Sequence, residues 1–169
     1  MLPVGESSIP EISTEADSPL DEHLRKEAQD QVERALAELP VHLRLPLVLK
    51  DIVELSISQV AEILGIKPAT VKTRVHRGRL ALRRAMAEVL PKRPSPPPDH
   101  PQRVCLDLLG AKQEALDRGA DFPVPQDELC TRCQSLLSTL DLAHDVCSQL
   151  SLDGLPDELR RSIESEIGL

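Results

Sequence analysis

The sequence predicts an all-α protein in which a helix-turn-helix domain is followed by a small separate helical domain. Its 169 residues leave room for at most two small domains, since domains commonly contain about 100–150 residues. Apolar residues recur at the helical period, and no segment alternates as a strand does. The chain has no Trp, no Tyr and a single Phe, so its core has to be built from Leu, Val, Ile and Ala.

Composition divides the chain into four segments. Residues 1–17 hold four acids and no bases, which is typical of a disordered tail. Residues 18–90 contain the helix-turn-helix. Six prolines fall within the eleven residues 91–101, as in a semi-rigid polyproline spacer. Residues 102–169 form a helical, acidic domain that contains all four cysteines.

The first two helices are predicted on the amino-terminal side of the helix-turn-helix. Ser18 as the N-cap and Pro19 as the first helical residue begin one of them, and Pro40 ends it. A second helix is predicted from about Val41 to Val53, with Pro46 either bending it or lying near its first turn. The apolar stripe of the first helix comprises Leu20, Leu24, Ala28, Val32, Ala35 and Leu39.

A short helix and a long helix come next, and single residues specify the turn between them. Ser56 and Gln59 have the spacing of a capping box, and Gly65 can end the short helix in the left-handed conformation. Pro68 then opens the long helix. The predicted helices are the short one that ends at Leu64, the long one that ends near Leu90, two over 102–118 and 127–150, and a short one near Pro156.

The net charge changes sign along the chain. The formal total of −8 argues against nucleic acid when taken alone. Residues 1–40 carry three basic and ten acidic side chains, and residues 102–169 carry six and thirteen, so each segment has a net charge of −7. Residues 41–101 carry eleven and five, a net charge of +6. A basic centre between acidic arms is typical of a nucleic-acid-binding module with regulatory segments.

The long helix has an apolar stripe and a basic remainder. Val71, Val75, Gly78, Leu82 and Ala85 form the stripe, which suits packing on the short helix, with Gly78 allowing a close approach. In helix-turn-helix proteins the second helix lies in the DNA major groove. The candidate DNA-binding residues on its other faces are Lys67, Thr70, Lys72, Thr73, Arg74, His76, Arg77, Arg79, Arg83 and Arg84.

Position along this helix divides the expected roles. Lys72, Thr73 and Arg77 lie near its amino end and are candidates for contacts with base edges. The alternative is an ordinary solvated face, although such faces normally mix both signs of charge. For His76 a solvent-facing side chain without a specific contact stays open. The residues expected to bind phosphates are Arg74, Arg79, Arg83 and Arg84.

Many residues between positions 20 and 90 also agree, at fixed spacing, with one known family. They are Ala35-Leu36, Leu39-Pro40, Arg44, Pro46 and the apolar residues 47–49, Lys50-Asp51, Leu55-Ser56, residues 60–66 and residues 70–83. This stretch, about half of the chain, resembles region 4 of bacterial sigma-70-type sigma factors of the extracytoplasmic-function (ECF) group.

The resemblance implies a helix-turn-helix of the winged-helix-like DNA-binding superfamily. In the family the second helix binds the −35 element of double-stranded promoter DNA, and region 4 docks on the flap of the RNA polymerase β subunit. Lys72, Thr73, His76 and Arg77 fall on the promoter-contacting positions. Family members also carry a region 2 that captures unpaired −10 bases, which residues 1–20 cannot contain. We expect region 2 to be supplied by a second polypeptide or to be encoded upstream of Met1. The remaining alternative is that the protein is a regulator derived from a sigma factor.

The cysteines suggest a metal site. Cys130 and Cys133 form a CxxC at the start of a predicted helix, and Cys105 lies on the helix before it. Such thiolates can bind zinc tetrahedrally, with bonds of about 2.3 Å. His100 is a candidate fourth ligand, whereas Cys147 and its neighbour His144 are too distant unless the helix breaks. A thiol redox switch and buried structural cysteines stay open as alternatives.

The cysteine segment is similar to the zinc-binding anti-sigma domain, which has an early Cys followed by His-x-x-x-Cys-x-x-Cys. Cys105, Cys130 and Cys133 match this pattern, while Gln126 occupies the position of the His. The resemblance implies zinc as a cofactor. Because this segment is acidic and the long helix is basic, we also expect it to fold back over that helix and to compete with DNA. Removal of residues 92–169 should then raise the DNA affinity.

Other classes of function are poorly supported. No Gly-rich phosphate loop, nucleophile motif or carboxylate pair is present, so we expect no enzyme. No apolar run approaches the roughly 18–20 residues of a membrane span, and no secretory signal is present, so we expect a cytoplasmic protein. The sequence thus predicts a sigma-like DNA-binding transcription initiation factor. The alternative is a metal- or redox-responsive, anti-sigma-like interaction protein.

Overall fold

The structure, a computed structural model, describes residues 19–89 and 97–168. Seven α-helices and no strand occur in these ranges, which confirms the all-α prediction. None of these helices is long and apolar enough to cross a membrane. The helices are α1 Pro19–Glu38, α2 Val41–Leu47, α3 Ile57–Leu64, α4 Pro68–Val89, α5 Gln102–Arg118, α6 Thr131–Gln149 and α7 Asp157–Ile167.

The α1 helix agrees with its predicted limits, but its apolar stripe is packed only in part. Val32 and Leu36 are fully buried, whereas Leu24 is 53% exposed. Residues 22–27 are all exposed, so this part of α1 contributes little to the core, which its second half helps to form. The predicted N-cap Ser18, the acidic tail 1–17 and most of the proline-rich spacer lie outside the described residues.

The α2 helix ends earlier than predicted and continues as a wider turn. A π-helical turn, Val48–Ile52, follows directly, and the Val53 N–H donates to the carbonyl of Val48, five residues back, at 2.9 Å. Pro46 inside α2 has no N–H to continue the α-helical ladder. The helix predicted over 41–53 is therefore continuous to Ile52, but its second part is a π turn. Asp51 lies buried in this turn.

The helix-turn-helix consists of α3, a short turn and α4. The Gln59 N–H donates to Ser56 Oγ at 3.2 Å and the Ser56 N–H donates to Gln59 Oε1 at 2.9 Å, which completes the predicted capping box. Gly65 ends α3 with φ 63° and ψ 31°, in the left-handed conformation, and Pro68 opens α4. These residues fix the position at which α4 leaves the turn.

Gly78 allows the close approach of α4 to α2 rather than to α3. A Cβ atom at this position would lie 3.1 Å from Leu47 Cδ2 and 3.5 Å from the carbonyl oxygen of Leu43. The expectation that Gly78 brings α4 close to the shorter helix of the motif is corrected accordingly. The physical reason is that α2 packs against α4 at Gly78, and α3 shares the buried face of α4 with α1, α2 and α6.

The carboxy-terminal helices do not form a separate domain. One apolar core contains Leu36 of α1, Leu82 of α4, Cys147 of α6 and Ile163 of α7. A buried Arg44 in α2 strengthens this connection, since its guanidinium donates to Glu166 Oε1 of α7 at 2.8 Å. The helices α6 and α7 thus complete the core of the helix-turn-helix, which corrects the prediction of two independent units.

The α5 helix is attached differently from α6 and α7. A second, smaller apolar cluster joins Leu108 and Leu109 of α5 to Cys133 and Leu137 of α6. No α5 residue belongs to the main core described above. The α5 helix is therefore bound to α6 on one side, and its other side faces α4 with polar side chains.

Candidate nucleic-acid interface

The basic helix α4 buries one side and leaves cations on the others. Val71, Val75 and Leu82 of the predicted stripe are buried. Among the candidate DNA-binding residues Lys67, Thr73 and Arg77 are exposed, as is the neighbouring Arg84. Those that are half-buried are Thr70, Lys72, Arg74, His76 and Arg83.

Arg79 does not belong to the exposed basic face. It is 2% exposed, and its Nε and Nη2 donate to the two carboxylate oxygens of Asp51 at 2.7 Å each. Its Nη1 donates to Asp117 of α5 at 2.7 Å and to Gln113 Oε1 at 3.2 Å. The expectation that Arg79 binds a phosphate is corrected, because its donors are already used inside the protein.

The hydrogen bonds and opposite charges within this buried cluster keep its groups ionised. Burial by itself would raise the pKa of Asp51, but the hydrogen bonds and charge of Arg79, with a smaller effect of His144, hold it at about 2. Burial also opposes the ionisation of Asp117, yet His76 and Arg79 keep the pKa of that carboxyl below its ordinary value. Burial would lower the pKa of Arg79, and the two carboxylates raise it instead. All three groups therefore stay ionised near neutral pH.

Polar side chains of α5 cover one stripe of α4. Lys72 Nζ donates to both carboxylate oxygens of Glu114, at 3.0 and 2.9 Å. His76 Nε2 lies 2.8 Å from Asp117 Oδ2, and Gln113 Nε2 donates to the backbone carbonyl of His76 at 3.2 Å. Lys72 and His76 are separated by four residues and so lie on one face of α4. Both are promoter-contacting positions according to the resemblance described above.

The same cluster has the donor types of a metal site. One ligand atom each from His76, Glu114 and Asp117 lies within 4.8 Å of the others. Lys72 and Arg79 already pair with these two carboxylates. Because both carboxylates already accept hydrogen bonds from cations, the arrangement is an ion-pair network between α4 and α5, and we assign no metal to it.

The predicted cysteine site is assembled only in part. Cys133 Sγ lies 3.5 Å from Cys105 Sγ, and Cys130 is the N-cap residue of α6. The Cys133 N–H lowers the pKa of the Cys130 thiol. Burial, with the neighbouring thiols, raises the pKa of Cys133 to about 12.

These thiols do not complete a zinc site as they are placed. Among the described residues they belong to no group of three or more potential ligands whose binding atoms all lie within 4.8 Å of one another. Gln126 lies exposed in a short 3-10 turn. The helix α6 is unbroken, with Cys147 in the main core and His144 Nδ1 3.6 Å from Asp51, so neither provides a fourth ligand. Zinc binding stays a prediction.

Several residues of this interface escaped the sequence analysis. They are Asp51, Gln113, Glu114 and Asp117. A signal existed for Asp51, because a lone carboxylate inside the apolar residues 45–52 requires a buried cation. Gln113, Glu114 and Asp117 share one face of α5 by their spacing, but the sequence does not show which helix that face meets.

Comparison with known proteins agrees with the geometry of this region. Residues 29–82 match the family "Sigma-70, region 4". The chain is 41% identical over 71 residues to the ECF RNA polymerase sigma factor SigW of Bacillus subtilis, a match that covers 42% of this chain and 38% of that protein. It is 42% identical over 57 residues to the ECF RNA polymerase sigma factor SigE of Mycolicibacterium smegmatis, which covers 34% of this chain and 22% of that protein.

These matches cover limited parts of the proteins compared. The chain spans well under half the length of both relatives, and the family match ends at Leu82, before the cysteine segment. No solved structure matches the chain. The matched residues contain the capped α3, the Gly65 turn and the basic part of α4. Residues 29–82 are therefore similar to sigma-70 region 4, and they contain α3, the turn and most of α4.

Proposed function

We propose that the protein is a sigma-like transcription initiation factor that binds the −35 element of promoter DNA through α4 and docks on RNA polymerase. The observation that carries the proposal is the exposure of Thr73 and Arg77 on the amino-terminal half of α4. The capped helix α3 holds this half of α4 at a fixed angle. A helix presented in this way fits the major groove.

The side chains of α4 divide into two groups in this proposal. Arg77 can donate two hydrogen bonds to a guanine edge, and Thr73 can contact a neighbouring base. Lys67 and Arg84 are exposed and would bind phosphates, which gives affinity but no sequence information. Arg83 is half-buried, and we propose a phosphate contact for it as well.

The polymerase would supply the rest of the function. By analogy with sigma factors, region 4 docks on the flap of the β subunit, and a region 2 recognises the −10 element. We assign neither −10 recognition nor strand opening to the described residues. Region 2, on the same or on a second polypeptide, would supply both activities.

The test compares the full chain with Arg77→Ala and with Arg132→Ala. Arg132 is an exposed arginine at the start of α6, so its removal is a control for the loss of one positive charge. Sequences are first selected from short duplexes of randomised sequence. We expect R77A to bind the selected duplex about ten- to a hundredfold more weakly, because a bidentate arginine contributes about 1–3 kcal/mol to base discrimination.

The outcomes separate the two functions considered. Selection of a defined sequence by the full chain, lost in R77A and kept in R132A, supports promoter recognition. Equal affinity of all three proteins for the duplex would contradict it. That result is the one expected of an anti-sigma-like interaction protein whose helix-turn-helix binds protein.

A further inference from the structure

We infer that α5 is an autoinhibitory helix, which through Gln113, Glu114 and Asp117 covers Lys72 and His76, beside the exposed Thr73 and Arg77 of α4, and is displaced by duplex DNA. The inference rests on the proposed function and adds its regulation. It is carried by the three polar contacts that these residues make with Lys72 and His76 of α4.

The width of the major groove prevents α5 and DNA from covering the same face of α4 at the same time. The groove is about 12 Å wide, and one α-helix with its side chains has a diameter of about 10–12 Å. The α4 helix cannot enter the groove while α5 lies on the face formed by Lys72 and His76. The carboxylates of Glu114 and Asp117 would also lie close to DNA phosphates, which repel them.

The contacts of α5 define what its displacement has to break. Its contacts with α4 are hydrogen bonds and ion pairs. Water and phosphate can replace those of Lys72 and His76, and Arg79 keeps Asp51 as a partner when it loses Asp117. The pair of Lys72 with Glu114 is also partly solvated, with side chains 41% and 35% exposed. By contrast, Cys147 of α6 and Ile163 of α7 are buried in the main core. The unit proposed to move is therefore α5, whose apolar contacts are those of the small cluster with α6.

This assignment changes the experiment that tests autoinhibition. Deletion of residues 92–169 would remove Ile163 and the other core residues of α6 and α7, so its effect on DNA binding would mix release with unfolding. Single substitutions in α5 leave the core residues of α6 and α7 in place. Gln113→Ala removes side-chain contacts with His76 and Arg79 of α4 without changing the net charge. Glu114→Gln removes the charge that pairs with Lys72 at a partly exposed site.

The experiment measures duplex affinity for the full-length protein, Q113A, E114Q and the double variant. We expect about a tenfold increase in affinity for the double variant, which corresponds to about 1.4 kcal/mol. The matched control is Gln134→Ala with Glu128→Gln. The Gln134 side chain donates to the carbonyls of Gln126 and Leu129, and Glu128 is exposed in the turn before α6, so this control changes the same groups away from α4.

Hydrogen exchange gives a second measurement on the unchanged protein. Added duplex should increase amide exchange in α5, Gln102–Arg118, and leave α6, Thr131–Gln149, protected. If the loss of the negative charge were the whole cause, E114Q would bind DNA more tightly and Q113A would not. Added duplex would then leave the amides of α5 protected from exchange. That pattern overturns autoinhibition.

The failures of the two proposals are distinguishable. If R77A lowers the affinity while the double variant binds as the parent does, then α5 is not inhibitory and the proposed function stands. If neither the parent nor the double variant binds any duplex, then the proposed function is wrong and the inhibition of DNA binding falls with it. Tighter binding by the double variant together with faster exchange in α5 supports both.

Discussion

The substitution Arg79→Met tests the buried ion-pair cluster, the feature that sequence analysis placed wrongly. It removes the guanidinium and keeps much of the aliphatic volume of the side chain. Two carboxylates, on Asp51 and Asp117, then lose a hydrogen-bonded cation in a site where Arg79 is 2% exposed. Breaking a buried pair by removing one partner costs about 3–5 kcal/mol, so we expect the free energy of unfolding to fall by this amount at neutral pH.

The pH dependence gives this prediction a sign. In the parent protein the pKa of Asp51 lies at about 2, below its ordinary value of 3.8, so ionised Asp51 stabilises the fold above that ordinary value. The contribution, on the order of 2 kcal/mol, is lost as the pH falls towards the folded-state pKa. In the variant the burial that raises this pKa is opposed by His144 but no longer by Arg79, so the pKa of Asp51 rises and protonation relieves the unfavourable burial of its charge. The stability difference between the two proteins should therefore shrink as the pH falls from about 7 to about 4.

Urea unfolding followed by far-ultraviolet circular dichroism measures both effects, since the chain has no Trp or Tyr to report fluorescence. Arg77→Met is the matched control, because it makes the same chemical change two residues earlier at an exposed site. We expect it to stay within about 0.5 kcal/mol of the parent. Equal stabilities of R79M and R77M would refute the buried cluster, as would a destabilisation by R79M that does not depend on pH.

Two other features of the fold lead to separate predictions. Ser56→Ala should lower the free energy of unfolding by about 0.5–2 kcal/mol, because it removes the N-cap of α3. The control is Ser58→Ala, at an exposed position of the same helix. Equal urea midpoints of the two variants would contradict the capping box. Ile163→Ala in α7 should cost about 2–5 kcal/mol and should lower a single unfolding transition that includes the helix-turn-helix. Two separate transitions, with only one affected, would show that the core is not shared.

The helical elements were largely predictable because local chemistry fixes them. Ser56, Gln59 and Gly65 each act within a few residues of their own position, through a cap or a left-handed turn. The end of α2 was not predictable in the same way. Pro46 indicates a disturbance of the helix, but whether the chain bends or widens into a π turn depends on packing against α4, which lies more than twenty residues away in the sequence.

The shared core could not be read from the segment boundaries. The proline-rich spacer and the change in charge both suggest two units, and both are properties of the chain rather than of the packing. The apolar faces of α6 and α7, with Cys147 and Ile163, have the same helical period whether they pack on each other or on the first segment. Only the structure shows that they cover α1 and α4.

The position of Arg79 was available from the sequence, although it was missed. It follows Val75 by four residues and precedes Leu82 by three and Met86 by seven, and all three are buried. These spacings place Arg79 on the apolar face of α4. Basic character alone assigned it to the DNA-facing side, whereas helical periodicity would have assigned it to the interior. The partner then had to be an acid, and Asp51 is the one acid within the apolar residues 45–52.

The chemistry of the contact between α4 and α5 explains why such a cover can be reversible. An apolar cover would be held by about 25 cal/mol for each Å² of apolar surface removed from water, and DNA offers little to replace that. Lys72 and His76 instead exchange a carboxylate for a phosphate, so both the covered state and the DNA-bound state provide an anion for each side chain. Because Lys72 and His76 have an anionic partner in both states, a small difference in free energy between the covered and the DNA-bound state decides which one is populated. The number of phosphates and bases that α4 can reach in a given duplex supplies that difference, so displacement of α5 depends on the DNA sequence and not only on its charge.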